Sequence, residues 1–272
     1  MDLSLIILNY KTVGLTRQCL KSIRLANPDL DYEVIVVDND SGDGVAKMLE
    51  EQFPEVKFIA SSHNSGFAGG NNQGIEKAQG RYIHILNPDI TVSPGSLEKM
   101  VQYMEEHPDV GILAPQLLNP DKSVQYSCYR FPKPSVPIYR RTPLGKTERG
   151  KKVIDWYLMK DWDHNNTREV DWCLAASVMV RKAAIEQVGL LDEQYFMYFE
   201  DCDWSRRFWQ AGYKVVYFPE AKMVHYHVRQ SADVPWFLGL FQKISRIHIA
   251  SAIKYFIKFR GKQNPRNKNK NE

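Results

Sequence analysis

Short apolar, β-rich runs alternate with stretches of helical period along the first part of the chain. Residues 3–8 and 33–38 are such runs, and residues 15–23 between them place apolar side chains at three- and four-residue intervals. That is a βαβ unit. The pattern continues with a helix near 44–52, a strand at 56–60, a helix near 71–79, a strand at 82–86, a helix at 94–106 and a strand at 111–114. Strands covered by helices on both faces read as continuous apolar runs, as these do. The expected fold class is α/β, with a mostly parallel central sheet and flanking helices. Residues 1–115 form a nucleotide-binding half whose ligand lies at the strand C-termini.

Beyond residue 115 the pattern changes. Residues 131–169 are rich in Pro, Arg, Lys and Asp and read as an irregular insertion within an acceptor-binding half, 116–231. Order resumes at 170–181, followed by a helix from about Glu200, strands at 214–218 and 221–226, and a long helix from Trp236 to about Phe259. Residues 232–272 are expected to form an amphipathic basic helix and a polar tail without fixed structure.

Composition narrows the class. Hydrophobic content of 43% and charged content of 25% are globular values. Four scattered cysteines with no CxxC pair suggest neither a disulfide framework nor a zinc knuckle, so a reducing cytosol is the simplest compartment. The apolar start is too short for a signal segment and lacks a basic flank. The net charge of +4 conceals an asymmetry: from Trp236 onward there are nine Lys/Arg and one acid. Lys243, Arg246, Lys254 and Lys258 fall on one stripe of that helix, opposite Phe237, Phe241, Ile244, Ala252, Phe256 and Phe259. The pattern fits an anionic membrane surface on the cytoplasmic side, against the alternative of a helix docked on the core.

Several constellations carry candidate chemistry. Asp38-Asn39 closes the second strand, where a carboxylate could accept hydrogen bonds from a ligand or simply form an Asx-type turn. The run Asn64-Ser65-Gly66-Phe67-Ala68-Gly69-Gly70-Asn71 precedes an expected helix, and its glycines would let backbone approach a phosphate or ribose. Asn87-Pro88-Asp89 follows the fourth strand and places one carboxylate where Mg²⁺ or Mn²⁺ could bridge a diphosphate. Glu200, Asp201 and Asp203 crowd three acids into a helix start. Capping explains one of them, leaving at least one for a ligand or a proton transfer. His225 and His227 share one face of a strand and either could complete a metal shell with Asp89.

In this order and spacing the segments resemble the GT-A-fold, inverting glycosyltransferase family 2, in particular its bacterial rhamnosyltransferase-like branch. The resemblance spans roughly residues 3 to 231 outside the insertion. It also rests on Asn9-Tyr10-Lys11, on residues 196–203, and on Arg206 with Gly212-Tyr213. It implies that Tyr10, Asp38 and Asn39 belong to the nucleoside pocket and that Asn64, Gly66, Phe67, Gly70 and Asn71, with Asn87, serve the nucleotide. It further implies that Asp89 and His225 or His227 hold the divalent cation or pyrophosphate. Asp201 becomes the base, with Glu200 beside it, and Trp172, Asp192 and Glu193 flank the acceptor. Two positions depart from the family pattern: Asn87 replaces the first acid of the Asp-x-Asp motif, and Leu174-Ala175-Ala176 replaces a Gly-Ala pair.

The activity implied is transfer of a sugar, dTDP-L-rhamnose by the Asn-Pro-Asp form or a UDP-sugar otherwise, to a lipid-linked or polysaccharide acceptor in cell-surface glycan synthesis. The enzyme would act peripherally on the inner face of the cell membrane. Two other classes compete. A nucleotidyltransferase would present a basic Gly-rich signature near the N-terminus, for which residues 9–14 are a poor substitute. A nucleic-acid-binding protein would use the basic tail but leave Asp89, Glu200 and Asp201 unexplained. No nucleic-acid partner is therefore expected.

Overall fold

The computed structural model describes residues 1–226 and 243–267 of the chain. The first half runs β1 (Leu3–Asn9), α1 (Val13–Ala26), β2 (Tyr32–Asp38), α2 (Val45–Gln52), β3 (Lys57–Ala60), α3 (Gly66–Lys77), β4 (Tyr82–Leu86), β5 (Ile90–Val92), α4 (Ser96–Glu106) and β6 (Val110–Leu118). There follow β7 (Cys128–Tyr129), α5 (Ser135–Arg141), α6 (Glu148–Tyr157), β8 (Arg168–Glu169), β9 (Trp172–Cys173), β10 (Ser177–Arg181), α7 (Lys182–Val188), α8 (Glu200–Gln210), β11 (Lys214–His225) and α9 (Lys243–Lys258).

The central sheet has the order β3-β2-β1-β4-β10-β6-β11-β5. Its β3-β2-β1-β4 half is parallel throughout. Successive residues of β1 feed opposite layers: Leu3, Leu5 and Ile7 join one apolar cluster, Ile6 the other. This two-sided burial is why the strand shows no polar alternation, and each aliphatic side chain so buried contributes about 1.5–3 kcal/mol.

The second half is mixed. β10 enters antiparallel between β4 and β6, and β11 runs parallel to β6 but antiparallel to β5. The two strands expected at 214–226 are one, with its register shifted between Phe218 and Lys222, where Pro219 has no amide proton to give the ladder.

The insertion at 131–169 is not irregular. It holds α5, a 3₁₀ turn at Pro143–Lys146, and α6, whose first turn is capped by Thr147 Oγ1 accepting from the Gly150 amide at 3.1 Å. Val153, Trp156 and Tyr157 give α6 an apolar face at helical spacing that packs on the core.

No helix among the described residues is long and apolar enough to cross a membrane. The apolar face of α9 meets the protein itself. Tyr255 and Phe259 are buried in the core and Phe256 packs against it. Ala252 of the same face is buried and Ile244 half-buried, while Phe237 and Phe241 lie outside the described residues. Two members of the expected basic stripe also bond to the protein. Lys254 Nζ donates to the Gln194 carbonyl at 2.6 Å, and Lys258 Nζ stands 2.6 Å from both Asp192 and Asp203.

Candidate active site

The C-terminal edge of the parallel strands is built around Asn9. Its buried side-chain nitrogen donates to Asp38 Oδ1 at 2.9 Å, while its oxygen accepts from Thr12 and Thr16 hydroxyls at 3.0 and 2.9 Å. The turn beyond holds Lys11 in the left-handed region, its amide bonded to Ser41 Oγ at 3.0 Å, and leaves the Tyr10 ring exposed at the sheet edge. Asp38 is partly exposed there.

Asn39 is a scaffold residue and not a free ligand group. Its nitrogen donates to Asn64 Oδ1 and to the Gly66 carbonyl, each at 3.0 Å, and its oxygen accepts from the Ser65 amide and hydroxyl. Two donors and two acceptor positions are thereby filled. The glycine run also departs from expectation: α3 begins at Gly66, so most of the run lies inside the helix. A Cβ on Gly70 would overlap Leu8, and one on Gly74 would overlap Ile6. Those glycines bring the helix close to the sheet, and the fully buried Asn71 donates to the Phe67 carbonyl within the helix. Gly66, at φ +77°, abuts Phe196, whose carbonyl accepts the Phe67 amide at 2.7 Å. The head of α3 is thereby tied to the segment that leads into α8.

Across the sheet, β5 pairs with the end of β11, setting Ile90 opposite His225. That register brings Asp89 Oδ1 to 3.3 Å from His225 Nε2, and Gln125 Oε1 lies 2.7 Å from the other ring nitrogen. The Tyr226 amide donates to the Asp89 carbonyl at 2.9 Å and locks the register. His227 lies outside the described residues, so the expected choice between the histidines places only His225 beside Asp89. No cluster of three metal-ligating side chains occurs among the described residues.

Glu200 and Asp201 open α8 after two consecutive left-handed residues, Tyr198 and Phe199. Both carboxyls are buried without a cation partner among the described residues. Burial pushes Asp201 up to about 6, against amide hydrogen bonds from Cys202 and Ala175. Burial, then the charge of Asp201, drives Glu200 well above the usual carboxylate range. Asp203 is different: fully buried, it pairs with Arg207 at 2.7 Å and Lys258 at 2.6 Å. One of the three acids is thus structural.

A two-residue backbone step joins the two chemical centres. The Ala175 amide donates to Asp201 Oδ2 at 3.3 Å, and the next residue, Ala176, accepts the Asn87 amide at 2.8 Å. Trp172 lies just upstream, its indole nitrogen donating to the Arg130 carbonyl and its ring 4.5 Å from that of Tyr129. Asp192 and Glu193 are engaged with the protein, Asp192 with Lys258 and Glu193 accepting from Asn72 at 2.9 Å.

Comparison with known proteins gives the family and the fold. The model of the family described as glycosyl transferase family 2 matches residues 4–172. The chain belongs to glycosyltransferase family 2. Its curated relatives include the N-acetylglucosaminyl-diphospho-decaprenol L-rhamnosyltransferase of Mycobacterium tuberculosis, 27% identical over 79% of this chain and 73% of that protein. Another is the rhamnosyltransferase WbbL of Escherichia coli K12, 28% identical over 85% of this chain and 84% of that one. Among solved structures, GalNAc-T7 with UDP, GalNAc and Mn²⁺ matches with a TM-score of 0.62 at 14% identity, covering 85% of this chain and 44% of that one. S. aureus TarS matches at 0.57 and 16%, over 84% of this chain and 37% of that one. This chain spans less than half of either solved chain, and the likeness is one of GT-A fold.

As a family 2 glycosyltransferase, the protein uses supports that sequence reasoning missed. The roles of Asn9 and Gln125 emerge only in three dimensions. Asn9 stood in a flagged tripeptide without a role, and Gln125 carries no local signal at all. The bond from Lys258 to Asp203 joins positions 55 apart (258 minus 203), which no helical period connects.

Proposed function

We propose that this glycosyltransferase inverts the anomeric centre of a nucleoside-diphosphate sugar, dTDP-L-rhamnose by preference, while transferring the sugar to a hydroxyl of a lipid-linked or polysaccharide acceptor. The observation that carries the reading is the Ala175-Ala176 step between Asp201 and the Asn87–Asp89 turn. It holds a raised-pKa carboxyl on one side and the Asp89–His225 pair on the other, as a single displacement requires.

The exposed Tyr10 ring and Asp38 receive the nucleoside. Asp89 and His225 fit Mn²⁺ well, since they offer one carboxylate oxygen and one imidazole nitrogen, whereas Mg²⁺ favours oxygen. Asp89 and His225 would hold such an ion, which would supply positive charge to offset the negative charge developing on the diphosphate leaving group. Asp201 takes the acceptor hydroxyl proton. Its pKa near 6 leaves it ionised yet basic at neutral pH. Glu200, its carboxyl pushed well above the usual carboxylate range by burial and by the charge of Asp201, orients the acceptor or Asp201. Trp172 supplies an aromatic face for the acceptor sugar, while Asp192 and Glu193 shape that side through their bonds to α9 and α3.

Work at the inner face of the cell membrane belongs to the same proposal; the lipid-linked substrate in the name of the Mycobacterium tuberculosis relative supports a membrane surface, as does the outer side of α9, where Ile253 and Ile257 stand exposed beside exposed Lys254 and Arg260.

A thermal-shift panel of dTDP, UDP, GDP and ADP, each with Mn²⁺, Mg²⁺ or chelator, tests the reading. Metal-enhanced stabilisation by dTDP or UDP is expected. Absence of stabilisation by every nucleoside diphosphate would sink it.

A further inference from the structure

Three nitrogen-bearing side chains, Arg140, Arg141 and His248, lie within reach of one another's charge, and none of them has an ion-pair partner among the described residues. Arg141, at the end of α5, is partly buried, and its described hydrogen bond goes to a neutral group, Ser245 Oγ at 3.2 Å. Arg140 places its guanidinium 5.5 Å from the centre of the Tyr157 ring. His248 of α9 faces them, its Nδ1 buried without a hydrogen-bond partner. Burial, then the charges of Arg141 and Arg140, hold it neutral, with its pKa lowered to about 3.

An unbalanced, partly buried arginine beside a second one is costly unless an anion joins them. The place is not remote from the chemistry. Tyr198, two residues before Glu200, packs its ring 4.8 Å from that of His248 and feels the charges of both Arg141 and Glu200. Tyr157, beneath Arg140, stacks on Tyr129 at 5.2 Å, lies 6.3 Å from Trp172, and feels the charge of Asp201. A chain of buried aromatic rings thus links Trp172 to the arginines, beneath the surface on which they stand. On the far side the same stretch exposes Ile138 and Leu144, each 53% accessible.

We infer that Arg140 and Arg141 form a diphosphate subsite for a lipid-linked acceptor. The acceptor's diphosphate lies on the two guanidiniums, its first isoprene-like carbons against Ile138 and Leu144, and its sugar points towards the acid pair. Guanidinium groups bind phosphate oxygens in pairs, which suits a diphosphate better than a single charge. The inference rests on the transferase reading for its acceptor, but its binding test does not.

Farnesyl diphosphate is the probe, titrated against the full chain by calorimetry, with farnesol and inorganic pyrophosphate as companions. Tighter binding of farnesyl diphosphate than of either companion is expected. Arg140→Gln/Arg141→Gln should weaken it at least tenfold and leave the dTDP-dependent thermal shift unchanged, while the double lysine variant should retain part of the affinity. The exposed single change Arg140→Gln keeps the test valid if the double variant does not fold. Equal binding of pyrophosphate and farnesyl diphosphate would overturn the lipid assignment. Unaltered farnesyl diphosphate affinity in Arg140→Gln and the double variant, or no binding by the wild type, would overturn the site. A parallel loss of dTDP binding would move the arginines to the donor and overturn it equally. Failure of every nucleoside diphosphate alongside intact farnesyl diphosphate binding would remove the transferase reading and leave the subsite standing.

Discussion

The Phe67 amide donates to the Phe196 carbonyl at 2.7 Å, and this one bond fastens the head of α3 to the segment that presents Glu200 and Asp201. It is possible because Gly66 has no side chain: at φ +77°, a Cβ would overlap the Phe196 carbonyl. Gly66→Ala must therefore both strain the backbone and push the segment away. A loss of about 2 kcal/mol in urea denaturation is expected, with kcat down at least tenfold. Wild-type kcat in a folded Gly66→Ala protein would show that the bond does not position the acids.

Asp201→Asn separates catalysis from stability. Transfer should fall by a hundredfold or more while nucleotide binding persists, and wild-type kcat should decline as pH drops through about 6. The stability effect has the opposite direction. Because burial raises the folded pKa above the unfolded value, the folded state binds the proton more tightly, so this group costs stability as pH rises from about 4 to 6. The Asn variant should be more stable than wild type by about 2 kcal/mol at pH 8, and the gap should close near pH 4. Melting curves at both pH values read the difference, and a variant less stable at pH 8 would contradict the burial argument.

Asp89 and His225 are predicted to act as one unit. Asp89→Asn and His225→Ala should each reduce the extra thermal stabilisation that Mn²⁺ gives to dTDP, and the double variant should lose little more than either single one. Additive losses would place the two side chains at separate tasks.

Lys258 bridges α9 to Asp192 and to the fully buried Asp203. Lys258→Met keeps the stem and removes the charge, so Asp203 retains only Arg207 as a cationic partner among the described residues. A loss of about 2 kcal/mol is expected, measured by urea denaturation. The change should leave the KM for the nucleotide sugar unaltered, because α9 contacts the acid-bearing half. A rise in that KM with unchanged stability would refute this.

Much of this protein was legible in the chain itself. The parallel half follows from apolar runs separated by helical periods, because strands buried on both faces and helices buried on one leave different local signatures. The crowding of Glu200, Asp201 and Asp203 at a helix start was legible too, because three like charges there carry an electrostatic cost that capping by one of them does not absorb. The sheet's second half was decided elsewhere. That β10 enters antiparallel between β4 and β6, and that 214–225 forms one shifted strand, depends on pairings between distant segments.

The same is true of the residues whose roles changed. Asn39 looked like a ligand because its position is right, but only the fold shows its amide spent on residues 64–66. The glycines looked like a phosphate cradle, and the fold uses them for close helix-on-sheet contact. The apolar stripe of α9 was visible in sequence, whereas what it would meet was not. Periodicity fixes which side chains share a face, and only packing determines whether that face is filled by the protein or left for a membrane.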